Sequence, residues 1–390
     1  MFTHIDCFAG PGGICTGMHA AGLDTAVAIE YIQTCCETYA ANHPEVHVIH
    51  SDIRKVQKND VLPYIPKEGV DLVTSGMPCE TFSTAGTTSR SFYDDRQFLF
   101  REGIRIAKMC KAKMILFENV PAITTKTVAE NDSTLIIDVL KKELELAGYK
   151  NYIEVVLDAS KFGVPQKRHR YFILATRYKN WELTPPQPST DSAVSVKEAF
   201  AGLPNVEPKG EDKTEYTKDT SDYAKLMRDE KFWRREGMGS DVITEQHPMN
   251  HKESTIKRFS LIKAGEGLPS LFERYTGEER ERLQKEGVMP AKSFSKRNHR
   301  LDETKPSQTV TSHCLEEFVH PHSNRCLTVR ECARLQSFPD SYVFRGPYSV
   351  GHDNRQVQDK YEQIGDAVPP LLAYAWGKRI SEILNKYLSK

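Results

Sequence analysis

The sequence has no apolar run that approaches the roughly 18 residues needed to cross a bilayer. Its first residues, MFTHIDCF, also lack the basic region followed by an apolar stretch that marks an export signal. Nine cysteines are present, but no two form a CxxC pair, and their odd number fits reduced thiols rather than a disulfide framework or a zinc site. These absences predict a cytoplasmic protein that is not exported and holds no metal.

A net charge is also missing, because 53 lysines and arginines balance 53 aspartates and glutamates. No overall positive field therefore favours a polyanionic partner, and any surface that binds nucleic acid must be local. With 390 residues, the chain exceeds what one hydrophobic core usually organises, which predicts two domains or one large domain with an insertion.

Short β-rich apolar runs alternate with helical patterns over residues 1–180. Such alternation predicts an α/β fold with a doubly wound, mostly parallel sheet and helices on both faces. One helix is predicted over 132–146, with Asp132 or Ser133 as its N-cap and Gly148 at its end. The predicted strands cover 3–8, 26–30, 46–50, 70–75, 114–118, 153–157 and 171–175.

The pattern changes near Trp181, where PPQP and then a charged, turn-rich stretch replace the alternation. Regular patterning returns at Leu327 and ends in a long helix with one apolar face. Since an apolar helix face needs a core to cover, we expect residues 327–390 to return and complete a first domain formed by 1–180. The segment 181–326 is then a smaller, irregular domain.

A glycine-rich turn, FAGPGG at positions 8–13, follows the first strand and opens a helix, where backbone amides and the helix dipole can meet a nucleotide-like ligand. It is neither the GxGxxG of dinucleotide binders nor a phosphate loop, and a plain strand-to-helix turn is the alternative. Glu30 ends the second strand, where a carboxylate can take both hydroxyls of a ribose. Asp52 follows the third strand and is placed to receive an adenine amino group, with a simple helix cap as the alternative.

Two further segments place reactive side chains at the carboxyl edge of the predicted sheet, where doubly wound folds bind ligands, and a third carries two arginines at a strand start. Cys79 follows the fourth strand in MPCETFS and precedes polar residues typical of a mobile lid, 80–96. Glu118 ends the fifth strand, and Arg168 and Arg170 alternate in QKRHR, so their guanidinium groups share one side of an extended segment. The alternatives are a buried structural thiol and solvent-facing arginines.

Six segments occur in the order FAGPGG, PCETFS, ENV, QKRHR, RECARLQSFP and GDAVPP. In this order they resemble the motif set of the cytosine-5 DNA methyltransferase family, and the resemblance covers residues 3–178 and 327–388. The segment between them matches the family's variable target-recognition region in position. The resemblance implies a Rossmann-like catalytic domain, S-adenosyl-L-methionine as cofactor, and methyl transfer to carbon 5 of a cytosine that is flipped out of double-stranded DNA.

The family's site roles fall on matching residues of this sequence. Cys79 is similar to the attacking thiolate, and Glu118 is similar to the acid that contacts ring nitrogen 3 and the amino group of cytosine. Arg168 and Arg170 are similar to the arginines that position that acid and the carbonyl oxygen of the base. The resemblance gives no residue that removes the carbon 5 proton. The implied cofactor contacts are Phe8, Pro11, Gly12, Gly13, Glu30, Asp52, Ile53, Pro78, Leu99 and Asp366.

The sequence departs from the family pattern at three positions. Glu80 stands where glutamine usually follows the cysteine, which places a carboxylate beside the DNA phosphates. Asp366 replaces the usual asparagine, so its side chain accepts but cannot donate a hydrogen bond. Gln97 stands where glycine is common. We expect these changes to affect, in turn, contact with the DNA backbone, cofactor affinity and the hinge of the lid.

Recognition of the DNA sequence is expected to fall to residues 181–326. A basic stretch in this segment can contact bases through arginine and asparagine and phosphates through lysine, with a solvated loop as the alternative. The lid is expected to add two contacts of its own. The predicted DNA-binding residues are Ser83, Arg90, Lys292, Lys296, Arg297, Asn298 and Arg300.

Three other functions fit parts of the sequence. A transfer RNA cytosine methyltransferase shares the motifs, but the Cys-Phe-Thr tripeptide typical of that branch is missing. A silent DNA-binding module shares the fold, but the catalytic motifs are intact. A nicotinamide-linked oxidoreductase needs GxGxxG and leaves the cysteine and the arginines unexplained. The sequence therefore predicts a bacterial or archaeal modification enzyme, with a restriction or phage-defence system as its expected partner.

Overall fold

The computed structural model describes residues 2–78, 95–129, 132–190, 192–239, 241–350 and 356–388. Cys79, Glu80, Ser83 and Arg90 lie outside these described residues. The described strands are β1 (Phe2–Cys7), β2 (Leu23–Glu30), β3 (His47–His50), β4 (Leu72–Ser75), β5 (Met114–Asn119), β6 (Asn151–Asp158), β7 (His169–Thr176), β8 (His299–Arg300) and β9 (Phe318–Val319).

Seven of these strands form one sheet in the order β3-β2-β1-β4-β5-β7-β6. Neighbours from β3 to β5 run parallel, whereas β7 runs antiparallel to both β5 and β6. The sheet confirms the predicted doubly wound, mostly parallel α/β class, and every predicted strand is present. Because the parallel strands end at one edge of the sheet, Cys7, Glu30, Ser75 and Asn119 all lie along that edge.

Helices cover both faces of the sheet and build much of the remaining described chain. None of these helices is long and apolar enough to cross a membrane. They are α1 (Gly13–Ala20), α2 (Gln33–Asn42), α3 (Lys58–Val61), α4 (Phe100–Met109), α5 (Ile136–Leu146), α6 (Val196–Phe200), α7 (Asp222–Met227), α8 (Glu230–Trp233), α9 (Glu253–Ser260), α10 (Leu268–Arg274), α11 (Gly277–Lys285), α12 (Cys314–Glu317), α13 (Val329–Leu335), α14 (Lys360–Asp366) and α15 (Pro370–Leu388).

Successive residues of the central strands pack on opposite faces of the sheet. Leu72 and Met114 belong to a core cluster that includes residues of α1 and α15. Val73 and Ile115 belong to a second cluster, which includes residues of α4 and α5. This division follows from the two-residue period of a strand, and burial of both faces explains why β5 is apolar without alternation over its first four residues, MILF.

The C-terminal helix α15 packs along α1 at positions where both helices carry small residues. A Cβ atom added at Gly377 would lie 2.6 Å from the Cβ of Ala21, and one added at Gly17 would lie 2.6 Å from the Cβ of Ala373. Only glycine lets the two backbones approach this closely. The last helix therefore completes the core that the first residues of the chain begin.

A second, smaller core lies within residues 259–326, whereas residues 196–233 contribute to the same core cluster as α15. The 259–326 segment also supplies Leu301, Val310, Cys314 and Phe318 to the larger cluster, so it contributes to both cores. The predicted domain limits at residues 181 and 326 stay a prediction. The buried members of the smaller core are Phe259, Ile262, Leu268, Leu271, Leu283, Val288, Met289, Val319 and Cys326.

The helix predicted over 132–146 is shorter in the structure. Helix α5 begins at Ile136 after Leu135, so the prediction of Asp132 or Ser133 as its N-cap is wrong. The Asp132 Oδ1 atom instead accepts a hydrogen bond from the backbone amide of Thr134 at 2.7 Å, which closes a local turn. The predicted end is correct, because Gly148 follows the helix with φ +97°, a conformation that glycine adopts at no steric cost.

Candidate active site

Glu118 and Arg170 form a buried ion pair at the carboxyl edge of the sheet. In the β5–β7 ladder Glu118 lies opposite Phe172, and Arg170 lies on the same side of β7 as Phe172 because side chains alternate along a strand. The Arg170 Nε atom lies 2.8 Å from Glu118 Oε1, and the two side chains are only 12% and 11% exposed. The antiparallel register therefore brings together two residues that are far apart in the sequence.

Burial raises the pKa of Glu118 above its ordinary value, although the neighbouring Arg170 and Arg168 charges lower it in part. A Cβ atom at Gly76 would lie 3.6 Å from Glu118 Oε2, and Asn119 Nδ2 donates to the Met77 carbonyl at 3.3 Å. The carboxyl group thus lies beside the segment that leads directly to Cys79 in the sequence.

Arg168 has different surroundings from Arg170. Its guanidinium is fully buried and donates to the backbone carbonyls of Val310, Gly365 and Ala367 at 2.6, 2.8 and 3.1 Å. The expectation that both guanidinium groups share one side of the extended segment stays a prediction, and both charges lower the pKa of Glu118. Arg168 joins β7 to two remote segments, and its charge acts on Glu118 from there.

The glycine-rich turn and the end of β2 are held together by the Glu30 carboxylate. Its Oε2 atom accepts from the amide of Gly10 at 2.7 Å, and its Oε1 atom accepts from the amides of Tyr31 and Ile32 at 2.6 and 2.7 Å. Burial raises the pKa of Glu30, and these three amides oppose that shift. Phe8, at the start of the turn, has φ +57°, an uncommon conformation for a residue with a side chain.

Two glycines of the turn are required by packing within the protein. A Cβ atom at Gly12 would lie 2.6 Å from Tyr342 Oη, and one at Gly13 would overlap the carbonyl oxygen of Val368. The Tyr342 hydroxyl also donates to the Pro11 carbonyl. By contrast, a Cβ atom at Gly10 would meet no atom of the described residues within 4 Å, so this part of the chain leaves the turn open on that side.

Asp52 already has a partner in the structure. Its carboxylate accepts from the side chain of Arg54 through Nε and Nη2, and this contact lowers the pKa of Asp52. The neighbouring Ile53 side chain is buried in the sheet core, while its carbonyl accepts from Arg105 at 2.7 Å. An adenine amino group would have to replace Arg54 at the Asp52 carboxylate.

Asp366 ends helix α14 and is exposed. Its Oδ2 atom accepts from Gln358 Nε2 at 2.9 Å, and Gln358 Oε1 in turn accepts from the Cys35 thiol at 3.1 Å. Pro78 and Leu99 are both half-buried, one just after β4 and the other just before α4. No local pattern in the sequence identifies Gln358, because its contacts are with residues remote along the chain.

The predicted DNA-binding residues divide into exposed and buried groups. Lys292, Lys296 and Arg297 are exposed. Asn298 is buried with φ +54°, and its amide group donates to the Glu316 carbonyl at 3.0 Å. The first group can reach a nucleic acid, whereas the Asn298 side chain holds its own loop.

The structure does not support the prediction that Arg300 contacts DNA. Its side chain is buried, and all three guanidinium nitrogens donate within the 259–326 segment. A contact with DNA would break these bonds and leave several carbonyls unpaired, so Arg300 is removed from the candidate DNA contacts. The acceptors are the carbonyls of Phe259, Ile262, His320, Pro321 and Ser323 and the Asn324 side chain.

Comparisons with known proteins identify the family of this chain. The family model described as C-5 cytosine-specific DNA methylase matches residues 2–382. The chain is 34% identical to the type II methyltransferase M.DdeI of Desulfomicrobium norvegicum over 97% of this chain and 88% of the relative. It is 32% identical to the type II methyltransferase M1.HphI of Haemophilus parahaemolyticus over 96% and 85%, respectively.

The fold also resembles a crystal structure of an E. coli prophage-encoded protein described as a DNA modification methyltransferase, with a TM-score of 0.74 and 21% identity over 99% of this chain and 100% of that one. This likeness supports the fold alone, whereas the sequence matches span nearly the whole chain. The chain therefore belongs to the C-5 cytosine-specific DNA methylase family and is a DNA cytosine-5 methyltransferase.

Proposed function

We propose that this methyltransferase acts on a cytosine of duplex DNA with Cys79 as the nucleophile, Glu118 as the acid and Arg170 as the residue that orients that acid. The observation that supports this assignment most directly is the buried Glu118–Arg170 pair beside Gly76. A carboxyl group at this place would meet a base that enters from the carboxyl edge of the sheet.

The chemistry requires a proton at Glu118. When the thiolate adds to carbon 6 of cytosine, the displaced electron pair makes carbon 5 nucleophilic and charge develops at ring nitrogen 3. A proton held by Glu118 would neutralise that charge, and burial raises the pKa of this group above its ordinary value, which favours the protonated form. Arg170 opposes part of the shift and fixes the direction of the carboxyl group. Arg168 has a positioning role through the carbonyls that it binds.

The eight cysteines among the described residues are poor nucleophiles, because all of them are buried. Burial raises the pKa of Cys15, Cys36 and Cys110 to about 12, so almost none of these thiols is ionised at neutral pH. An ordinary thiol has a pKa of about 8.5 and is far easier to ionise. This contrast supports the assignment of Cys79, which rests on its motif.

The residues around the glycine-rich turn fit S-adenosyl-L-methionine, which supplies a methyl group as a sulfonium when it is bound. The described residues leave the side of the turn at Gly10 open, and the Glu30 Oε2 atom accepts one amide in the structure, so it has capacity for a ribose hydroxyl. Carboxylates at Glu30, Asp52 and Asp366 suit the hydroxyl, amino and cationic groups of this molecule. We assign the cofactor contacts to Phe8, Pro11, Gly12, Gly13, Glu30, Asp52, Ile53, Pro78, Leu99 and Asp366.

The target cytosine must leave the duplex before these groups can reach it, at a cost of a few kcal/mol. Exposed Lys292, Lys296 and Arg297 provide a local positive surface for the DNA on a chain without net charge. Since both curated relatives are type II methyltransferases, we propose a modification role that protects DNA from a restriction endonuclease in the cytoplasm of a bacterium or archaeon.

The test is a methylation assay with methyl-labelled S-adenosyl-L-methionine and unmethylated duplex DNA, followed by identification of the labelled nucleoside. We expect 5-methylcytosine from the parent enzyme and none from Cys79→Ala, with Cys110→Ala as the matched control for loss of a thiol. Equal activity of the parent and Cys79→Ala would contradict the nucleophile. Label in transfer RNA rather than DNA would contradict the proposed substrate.

A further inference from the structure

Two arginines with opposite surroundings lie close together in the sequence, Arg297 in the loop before β8 and Arg300 at the end of β8. Arg300 is buried and all three of its guanidinium nitrogens donate within the 259–326 segment. The side chain of Arg297 is 49% exposed. Among the residues that sequence reasoning offered as base readers in this loop, Arg297 is thus the one whose side chain faces solvent.

The backbone of Arg297 is fixed on both sides. Its amide donates to the Phe294 carbonyl at 3.2 Å, and its carbonyl accepts from the Leu268 amide at 3.3 Å. The next residue, Asn298, donates to the Glu316 carbonyl through both its backbone and its side-chain nitrogen, each at 3.0 Å. The loop is therefore held against α12 in one conformation, at the cost of a left-handed backbone at Asn298.

The guanidinium group of Arg297 is also oriented. It lies 5.0 Å from the centroid of the Phe294 ring, and its Nη2 atom lies 2.8 Å from Glu316 Oε2. Phe294 is 45% exposed, and the Glu316 side chain is 52% exposed. An ion pair this exposed adds little to stability, so stabilisation alone does not explain why an aromatic ring and a carboxylate both hold this arginine.

The loop is connected to the catalytic residues by a short series of contacts. His299 Nε2 and Gln308 Nε2 lie 3.5 Å apart, and the next residue, Thr309, donates to the Lys167 carbonyl at 2.7 Å. Lys167 and Arg168 directly precede β7, and Arg170 is the second residue of that strand. These contacts connect the Arg297 loop to the segment that leads into β7.

We infer that Arg297 reads one guanine of the recognised DNA sequence in the major groove, with Phe294 and Glu316 holding its guanidinium in the reading orientation. Guanine offers two acceptors, O6 and N7, that match two parallel N–H donors of an arginine. Because the side chain is ordered before binding, less conformational entropy is lost on contact. This inference rests on the proposed action on duplex DNA.

The test measures which positions of the recognised sequence lose discrimination. Parent enzyme and variants methylate a duplex library with randomised bases around cytosine, and bisulfite sequencing gives the relative kcat/KM for each sequence. For Arg297→Ala and Arg297→Lys we expect discrimination against the wrong base to fall roughly 5- to 150-fold at one guanine position only. Glu316→Ala should relax the same position to a smaller extent.

Lys292→Ala and Lys296→Ala are the matched controls, because a lysine bound to phosphate carries no sequence information. Each should weaken DNA binding uniformly across the library and reduce the slope of log affinity against log salt by about 0.9. Unchanged discrimination in Arg297→Ala, or a uniform loss like that of the lysine variants, would overturn the inference. Absence of 5-methylcytosine with the parent enzyme would instead overturn the proposed function.

Discussion

Glu118 and Arg170 meet at the edge of a seven-stranded sheet, whereas Arg297 lies in the loop before β8 and Arg300 lies in β8 itself, which pairs with β9. In the sheet, strand register decides which side chains meet, so a pair that is remote in sequence is fixed by backbone hydrogen bonds. In the segment that contains β8, two arginines that are close in the sequence differ in burial, because the Arg297 side chain is exposed and Arg300 is buried. In the sheet, the spacing of residues along a strand therefore determines which side chains can meet. For Arg297 and Arg300, contacts with residues remote along the chain determine which side chain is buried.

Replacement of Glu118 at the sheet edge should have the largest effect on the enzyme, a loss of methylation rate. For Glu118→Gln we expect the methylation rate to fall by roughly 10²–10⁴-fold, because glutamine keeps an oxygen for Arg170 but cannot pass a proton. Single-turnover kinetics on a saturating duplex, with binding of DNA measured separately, checks this. Glu154→Gln, on β6 and in an ion pair with Lys141, is the control. A rate within a factor of about three of the parent would remove Glu118 from the chemistry.

The variants Arg300→Ala and Arg297→Ala test whether the buried arginine contributes more to stability than the exposed one. Loss of Arg300 leaves buried carbonyls without a donor and should lower the free energy of unfolding by about 3–5 kcal/mol. Loss of Arg297 removes an exposed ion pair and should change it by less than about 0.5 kcal/mol. Thermal and denaturant unfolding of both variants give the comparison, and similar values for the two would contradict the division into a buried and an exposed arginine.

Sequence reasoning predicted the sheet edge better than the loop, for a physical reason. The alternation of strands and helices places Glu118 at the carboxyl edge, and the β period places Arg170 on one side of its strand. The three carbonyls that bind Arg168 come from residues remote along the chain, and no local pattern reports them. The role of Arg300 was missed for the same reason.

Contacts with residues remote along the chain also explain why sequence patterns did not predict the role of two glycines or the partners of the predicted site residues. The turn FAGPGG predicts a ligand site, yet Gly12 and Gly13 are required by Tyr342 and Val368, which approach from the far end of the chain. Gln358 and Glu316 lack any motif, although each holds a predicted site residue. Side chains that position others are therefore visible only after folding.

Asp6, a buried acid at the end of β1 near the glycine-rich turn, should make the stability of the protein depend on pH. Burial raises the pKa of Asp6 to about 7, while Thr74 opposes the shift with a hydrogen bond at 2.7 Å. The folded chain then keeps the Asp6 proton between about pH 4 and 7, where an unfolded chain releases it. Stability therefore falls as pH rises through this window, by up to about 1.4 kcal/mol per pH unit.

Asp6→Asn should remove this slope, because an amide does not titrate. Denaturant unfolding of the parent and the variant at intervals between pH 5 and 8 measures it. As pH rises, the free energy of unfolding of the variant should increase relative to that of the parent. A difference that does not change with pH would contradict a raised pKa at Asp6. Asp138→Asn, at an exposed position of α5, is the control.

The smallest effect is expected at Asp366. Its carboxylate is exposed and held by Gln358, so its attraction for a cationic cofactor is screened by solvent. For Asp366→Asn we expect S-adenosyl-L-methionine to bind roughly 2- to 5-fold more weakly, as judged by the strength of exposed ion pairs. Isothermal titration calorimetry without DNA measures this directly. Tighter binding would show that the carboxylate opposes the cofactor.

The glycine contact between α1 and α15 also bears on how the enzyme folds during its synthesis. The ribosome makes α1 first and α15 last, and the two are separated by most of the chain, a delay on the order of tens of seconds at bacterial elongation rates. Throughout that interval the apolar side of α1 lacks its cover, and the backbone that crowds Gly13 does not yet exist. The helix that follows the glycine-rich turn is therefore packed on this side only after α15 has been made.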